Sequence, residues 1–193
     1  MMKYLKYLLV LLLLASPVQA GMVIDAAGTE FGEVTVAGAT CDWTNTAPWY
    51  YVYKLSAYSQ PGAGRLCNLS AYAKGTTGNI SMVVYKLSTL TAVCLTTAQK
   101  AVGTNYAWIS WDYTELKPYG GSAGQACTLE AGEDYLLGIA MDDTAVNICY
   151  QGTVGDTGGW NNTADYTDGS WPESRPTILD SIAHVLLKGV VVK

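Results

Sequence analysis

Thr128 to Gln151, reading TLEAGEDYLLGIAMDDTAVNICYQ, constrains the fold more than any other stretch of the chain. Tyr135, Leu137, Ile139 and Met141 alternate with their neighbours, and Val146, Ile148 and Tyr150 do so again after Asp142-Asp143-Thr144. A two-residue period places alternate side chains on one face of an extended strand, so each run buries one face against a core. The Glu-Ala-Gly turn ahead of the first run and the Asp-rich turn between the two predict a β-hairpin of an antiparallel sandwich.

The rest of the chain carries the same signal. Phe31 to Val36, Trp49 to Tyr58, Asn79 to Leu87, Ala92 to Thr96 and Ala183 to Val192 are rich in aromatic and β-branched residues and read as strands. Leu66 to Ala73 alternates Cys67, Leu69 and Ala71 against Asn68, Ser70 and Tyr72. Tyr106 to Thr114 alternates Ile109, Trp111 and Tyr113 against Trp108, Ser110 and Asp112. Residues 152–177, full of Gly, Asp, Asn and Trp, read as a long loop. No segment after Gly21 holds a 3.6-residue apolar period, so the expected fold is all-β, a two-sheet antiparallel β-sandwich of jelly-roll type.

Upstream of this body, Met1 to Lys6 carries two lysines, Tyr7 to Ala15 is apolar, and Ser16 to Ala20 ends on a small-residue cleavage pattern. These features predict a signal peptide over residues 1–20, cut before Gly21, and a secreted, cell-surface or periplasmic protein. The apolar run is shorter than the roughly 20 residues needed to cross a bilayer, and no later run reaches that length, so no membrane span is expected in the mature chain. Residues 21–193 suit one domain with one core.

The net charge of −5 at pH 7 becomes more negative once Lys3 and Lys6 leave, and the remaining Lys and Arg form no run. That balance argues against nucleic acid and against an anionic membrane surface. Against one Phe stand 14 Tyr and 6 Trp, so amphipathic rings dominate the aromatic set. All five cysteines, Cys41, Cys67, Cys94, Cys127 and Cys149, follow the signal segment. In an oxidising compartment they predict two disulfides and one leftover thiol, with the pairing open. Cys67 and Cys149 both fall inside strand patterns, so one bridge staples strands together if they are neighbours.

Catalytic signatures are weak. His184 is the single histidine and lacks a nucleophile motif around it. The carboxylate pairs Asp142–Asp143, Glu130–Glu133 and Asp165–Asp168 all sit at expected turns, where such residues serve backbone geometry more often than glycoside hydrolysis. The expectation is a protein that is not an enzyme.

Ile80 to Tyr85, Ala107 to Trp111, Leu129 to Ile139 (LEAGEDYLLGI) and Gly169-Ser170-Trp171-Pro172 follow one another in the order of four motifs. Over roughly residues 50–190 the chain resembles the jelly-roll modules of carbohydrate-binding type found in extracellular bacterial, archaeal and phage proteins. The resemblance implies a non-catalytic accessory role, with Trp171 plugging the end of the sandwich. It also implies a structural Ca²⁺ as a possible cofactor, for which Asp156, Asp165 and Asp168 are the candidate metal ligands.

A sugar ring stacks its C–H face on Trp or Tyr while amide and carboxylate groups take its hydroxyls. Trp160, Asn161, Asp165, Tyr166, Tyr150 and Trp171 supply that mixture and are the candidate ligand-binding residues, with Trp160 foremost. The expected partner is a carbohydrate or cell-surface polymer. The alternative is a structural or adhesive subunit that self-associates by strand-edge pairing through Gly21 to Gly38 or the last strand.

Overall fold

The computed structural model describes residues 28–32, 35–44, 49–54, 63–151, 158–162 and 184–192; for 42–44, 49–54, 158–162 and 184 the description is of the backbone. In chain order the strands are β1 Thr29–Gly32, β2 Thr40–Thr44, β3 Trp49–Lys54, β4 Gly64–Gly75, β5 Asn79–Lys86, β6 Thr91–Thr96, β7 Lys100–Ala101 and β8 Ala107–Asp112. They continue with β9 Leu116–Pro118, β10 Thr128–Leu129, β11 Tyr135–Met141, β12 Val146–Gln151, β13 Gly158–Asn162, β14 His184–Val185 and β15 Leu187–Val192. Among the described residues the one helical element is a 3₁₀ turn, Tyr113–Glu115.

The strands form two antiparallel sheets, as the two-residue alternation requires. An eight-stranded sheet runs β1-β15-β4-β12-β14, with β8 and β10 also on β4 and β2 also on β12. A seven-stranded sheet runs β13-β3-β11-β5-β6-β9, with β7 on β5. Leu69, Ala71 and Ala73 of β4 and Trp111 of β8 share one buried core with Ile80, Met82 and Val84 of β5 and Leu137, Ile139 and Met141 of β11. The last strand lies inside its sheet, between β1 and β4, as its apolar composition predicts.

The expected hairpin is corrected. β11 pairs with β3 and β5, whereas β12 pairs with β2, β4 and β14 of the other sheet. Alternation identifies the core-facing residues of β11 and, in β12, Val146 and Ile148, but not Tyr150, which is half-buried outside the core past a register shift against β2; it is the same whether the turn joins neighbours in one sheet or arches across the core. Leu136 and Ala140 on the other face of β11 are also buried, with Val83, Tyr85, Ala92 and Leu95, so this central strand is covered on both faces.

The arch after β11 rests on the arch between β4 and β5. Asp142 accepts hydrogen bonds from the Asn79 backbone (2.6 Å) and side chain (2.8 Å), and Asp143 accepts from Thr77 Oγ1 (2.7 Å) and from Ala145 N (2.8 Å). Gly78, at φ +98°, permits this contact, since a Cβ there would lie 2.6 Å from Asp143 Cβ. The Ala145 and Thr77 bonds hold the Asp143 carboxyl below its ordinary value of 3.8. A carboxylate with a lowered folded pKa contributes stability that is complete above the unfolded value and is lost as pH falls through the folded one. Acid titration followed by tryptophan fluorescence should therefore show destabilisation beginning below about pH 4, and Asp143→Asn should flatten that dependence.

Three further differences have local causes. Residues 152–177 are not wholly loop, because Gly158–Asn162 pairs along β3. The Gly-Gly-Trp-Asn-Asn sequence has little strand propensity, so that pairing is a tertiary decision. Tyr113 leaves the β8 alternation and is 48% exposed. There Asp112 and Glu115 form a capping box that turns the chain, with Thr114 N donating to Asp112 (2.8 Å) and Asp112 N to Glu115 (3.0 Å). In β4 the register slips between Leu66 and Asn68 opposite β15, so Leu66, not Cys67, joins Leu69 and Ala71 in the core.

Cys67 is the free thiol, while Cys41–Cys149 and Cys94–Cys127 form disulfides. The first staples neighbouring strands β2 and β12. The second ties β6 of the seven-stranded sheet to Cys127, whose carbonyl accepts from Leu66 N of the eight-stranded sheet (2.8 Å), so it clamps the layers together.

Candidate functional site

Asp156, Asp165, Tyr166, Asp168 and Trp171 lie outside the described residues. Tyr150 sits in β12 opposite Val185 and Thr40, in the eight-stranded sheet. Trp160 and Asn161 lie in β13, at the edge of the seven-stranded sheet, opposite Tyr51 and Tyr50. The fold thus assigns Tyr150 to a different layer from Trp160 and Asn161, because the chain changes sheets after β12. His184 pairs with Gln151 through the backbone of β14. Among the described residues no cluster of His, Cys, Asp or Glu could hold a metal ion.

Two carboxylate pairs named as turn residues are engaged there. Asp142 and Asp143 brace the arches as described. Glu130 and Glu133 both meet Lys86 Nζ, at 2.7 and 3.4 Å, and Glu133 also accepts from Ser88 (2.7 Å), a bond that holds its carboxyl below the ordinary range. The Glu130 hydrogen bond in turn raises the Lys86 pKa. The neighbouring Ala131-Gly132-x-x-Tyr135 motif has a structural account: Gly132 adopts φ +74°, and the Glu130 N–H donates to the Tyr135 hydroxyl (2.6 Å).

A mixed aromatic and polar surface is assembled elsewhere, on the outer face of the eight-stranded sheet. Antiparallel register sets Lys74 of β4 across from Asn147, Tyr72 across from Trp108, Ser70 across from Ser110 and Lys188, and Asn68 across from Asp112 and Val190. Their neighbours Leu69, Ala71, Trp111 and Leu187 are buried in the core, so this set faces outward. Tyr106, just before β8, completes it.

The rings form a contiguous patch. Tyr72 stacks on Tyr106 (centroids 6.0 Å, planes 16° apart) and meets Trp108 at 5.3 Å and 56°. All three are half-buried rather than sealed in the interior. The Tyr106 hydroxyl donates to the Cys41 carbonyl, anchoring one end of the patch beside the Cys41–Cys149 bridge. Lys74 Nζ lies 4.4 Å from the Tyr106 ring centre and Lys188 Nζ 4.9 Å from that of Trp108, both cation–π distances.

Polar groups flank the rings. Ser70 Oγ donates to Asn68 Oδ1 (2.6 Å) and meets Ser110 Oγ at 2.8 Å, while Asn68 Nδ2 donates to the Trp111 carbonyl (3.0 Å). Asp112 is kept ionised by the side-chain and backbone hydrogen bonds of Thr114, which lower its pKa. The exposed hydroxyl of Ser110 and carboxylate of Asp112 thus stand beside an aromatic platform on a rigid sheet.

Tyr72, Tyr106 and Trp108 were absent from the sequence-derived site, although the alternations of β4 and β8 separately set Tyr72 on the face opposite Leu69 and Ala71, and Trp108 on the face opposite Ile109 and Trp111. What composition could not supply is that β8 pairs with β4 in the register that sets these rings side by side. No family model matches the chain, and no curated protein matches it either.

Proposed function

We propose that this chain is an extracellular, non-enzymatic binding module of jelly-roll type that recognises carbohydrate, with the platform of Tyr72, Tyr106 and Trp108 as its principal contact surface. The observation that carries this reading is the half-buried ring patch with hydroxyl, amide and carboxylate groups on the same face. Rings offer the apolar C–H side of a sugar a flat surface of low entropy cost, and the polar neighbours take its hydroxyls. Strands hold these groups more firmly than a loop would. The two disulfides, and the absence among the described residues of a helix long and apolar enough to cross a membrane, are compatible with export. Trp160 and Asn161, with Asp165, Tyr166 and Trp171, remain candidates for a second contact region.

A glycan array probed with the wild-type chain, Trp108→Ala and Trp160→Ala tests this. Saturable binding that Trp108→Ala weakens at least tenfold, with an unchanged melting temperature, is the expected result. Loss only in Trp160→Ala would move the site to β13. Concentration-dependent filaments with no glycan bound would favour the strand-pairing subunit instead.

A further inference from the structure

The platform carries cations that the acidic chain as a whole does not advertise. Of the described side chains, Lys74, Lys188 and Arg65 lie on this outer face. Lys74 has no carboxylate partner among the described residues, its Nζ resting on the Tyr106 ring. Arg65 lies over Tyr113 at 4.7 Å, and its buried Nε has no hydrogen-bond partner among the described residues. Lys188 is shared between the Trp108 ring and Glu30 Oε1 at 2.9 Å. The other lysines with carboxylate contacts, Lys86 and Lys100, are held by Glu130 with Glu133 and by Glu115.

We propose that the saccharide bound on this face is anionic, bearing a carboxylate or sulfate that Lys74 and Lys188 neutralise while its ring lies against Tyr72 and Trp108. The inference rests on the carbohydrate reading above and specifies its substrate class. An ammonium on a solvent-accessible ring face is held weakly. A charge-assisted hydrogen bond to an anion is stronger, so the flexible lysine stem swings from ring to ligand and uncovers the ring as it does so. Lys74 and Ser70, which faces Lys188, are four residues apart on β4, about 13 Å. Tyr72 lies between them, so a ligand lying along β4 meets a cation towards each end.

Calorimetric titration of the full, oxidised chain with oligogalacturonate, its methyl-esterified neutral form and a sulfated galactan fragment tests the proposal. Binding of at least one acidic probe is expected, at least tenfold tighter than the neutral ester, weakening as NaCl rises from 50 to 500 mM. The preference for oligogalacturonate or for the galactan fragment identifies the anion as carboxylate or sulfate. Lys74→Gln should weaken binding about tenfold, Glu30→Gln should strengthen it by releasing Lys188, and Lys86→Gln, an equal change in charge away from this face, should leave it unchanged.

Equal binding of acidic and neutral probes, abolished by Trp108→Ala, would overturn the anionic inference and leave the carbohydrate reading intact. No binding of any glycan on this panel or on the array would defeat both. Tighter binding of single-stranded oligonucleotide than of any glycan would also overturn it, since stacking rings beside lysines suit that ligand.

Discussion

Replacing Trp111 by Ala is expected to cost about 4 kcal/mol of folding stability, the middle of the range for truncating a buried aromatic. Trp111 is fully buried in the common core, among the largest side chains there. Its indole Nε1–H donates to the Ala98 carbonyl at 3.0 Å, and Lys100 Nζ lies 5.7 Å from its ring. Ala would leave a cavity between the sheets and an unpaired carbonyl, and both effects have the same sign. Against a typical total of 5–15 kcal/mol, such a loss lowers the melting temperature by about 10 °C in a domain of this size. Thermal unfolding followed by circular dichroism measures it. A fall of less than about 3 °C would mean that Trp111 does not fill the core as described.

Removing the Cys94–Cys127 bridge should have an effect of the same order. The two cysteines are 33 residues apart, and closing a loop of that length restricts the unfolded chain by about 4 kcal/mol in the entropic account. The double variant Cys94→Ala/Cys127→Ala isolates this bridge from Cys41–Cys149, and urea unfolding of both forms gives the difference. Both sulfurs belong to residues buried in the core, so the native state is not expected to compensate by rearranging around them. An unchanged urea midpoint would show that hydrophobic contact alone clamps the layers at this end.

Much of the site was present in the sequence in pieces. Period-two alternation already set Asn68, Ser70 and Tyr72 of β4, and Trp108, Ser110 and Asp112 of β8, opposite the core-facing residues. Nothing in either pattern said that these strands were neighbours, since local alternation carries no information about pairing partners. The loop centred on Trp160 attracted the ligand assignment because Gly and Asn beside a Trp resemble a recognition loop. Pairing with β3 made Gly158–Asn162 a strand despite that composition.

Cysteine usage shows the same division. Counting foresaw two bridges and a leftover thiol, but which cysteines meet follows from strand pairing such as β2 with β12, which no spacing rule reveals.

By itself, the order of residues determined that this polypeptide is a two-layer antiparallel sandwich and most of the side chains that enter its core, because side-chain direction in a regular strand is a local property; Cys67 and Tyr113 depart where a bulge and a capping box interrupt the strand. Tertiary structure decided which strands meet, that the Asp142–Ala145 turn spans two sheets instead of closing a hairpin, and that three rings and two lysines converge on one surface. Those outcomes depend on hydrogen bonds between segments far apart along the chain, whose partners are chosen by competition within the whole packed domain.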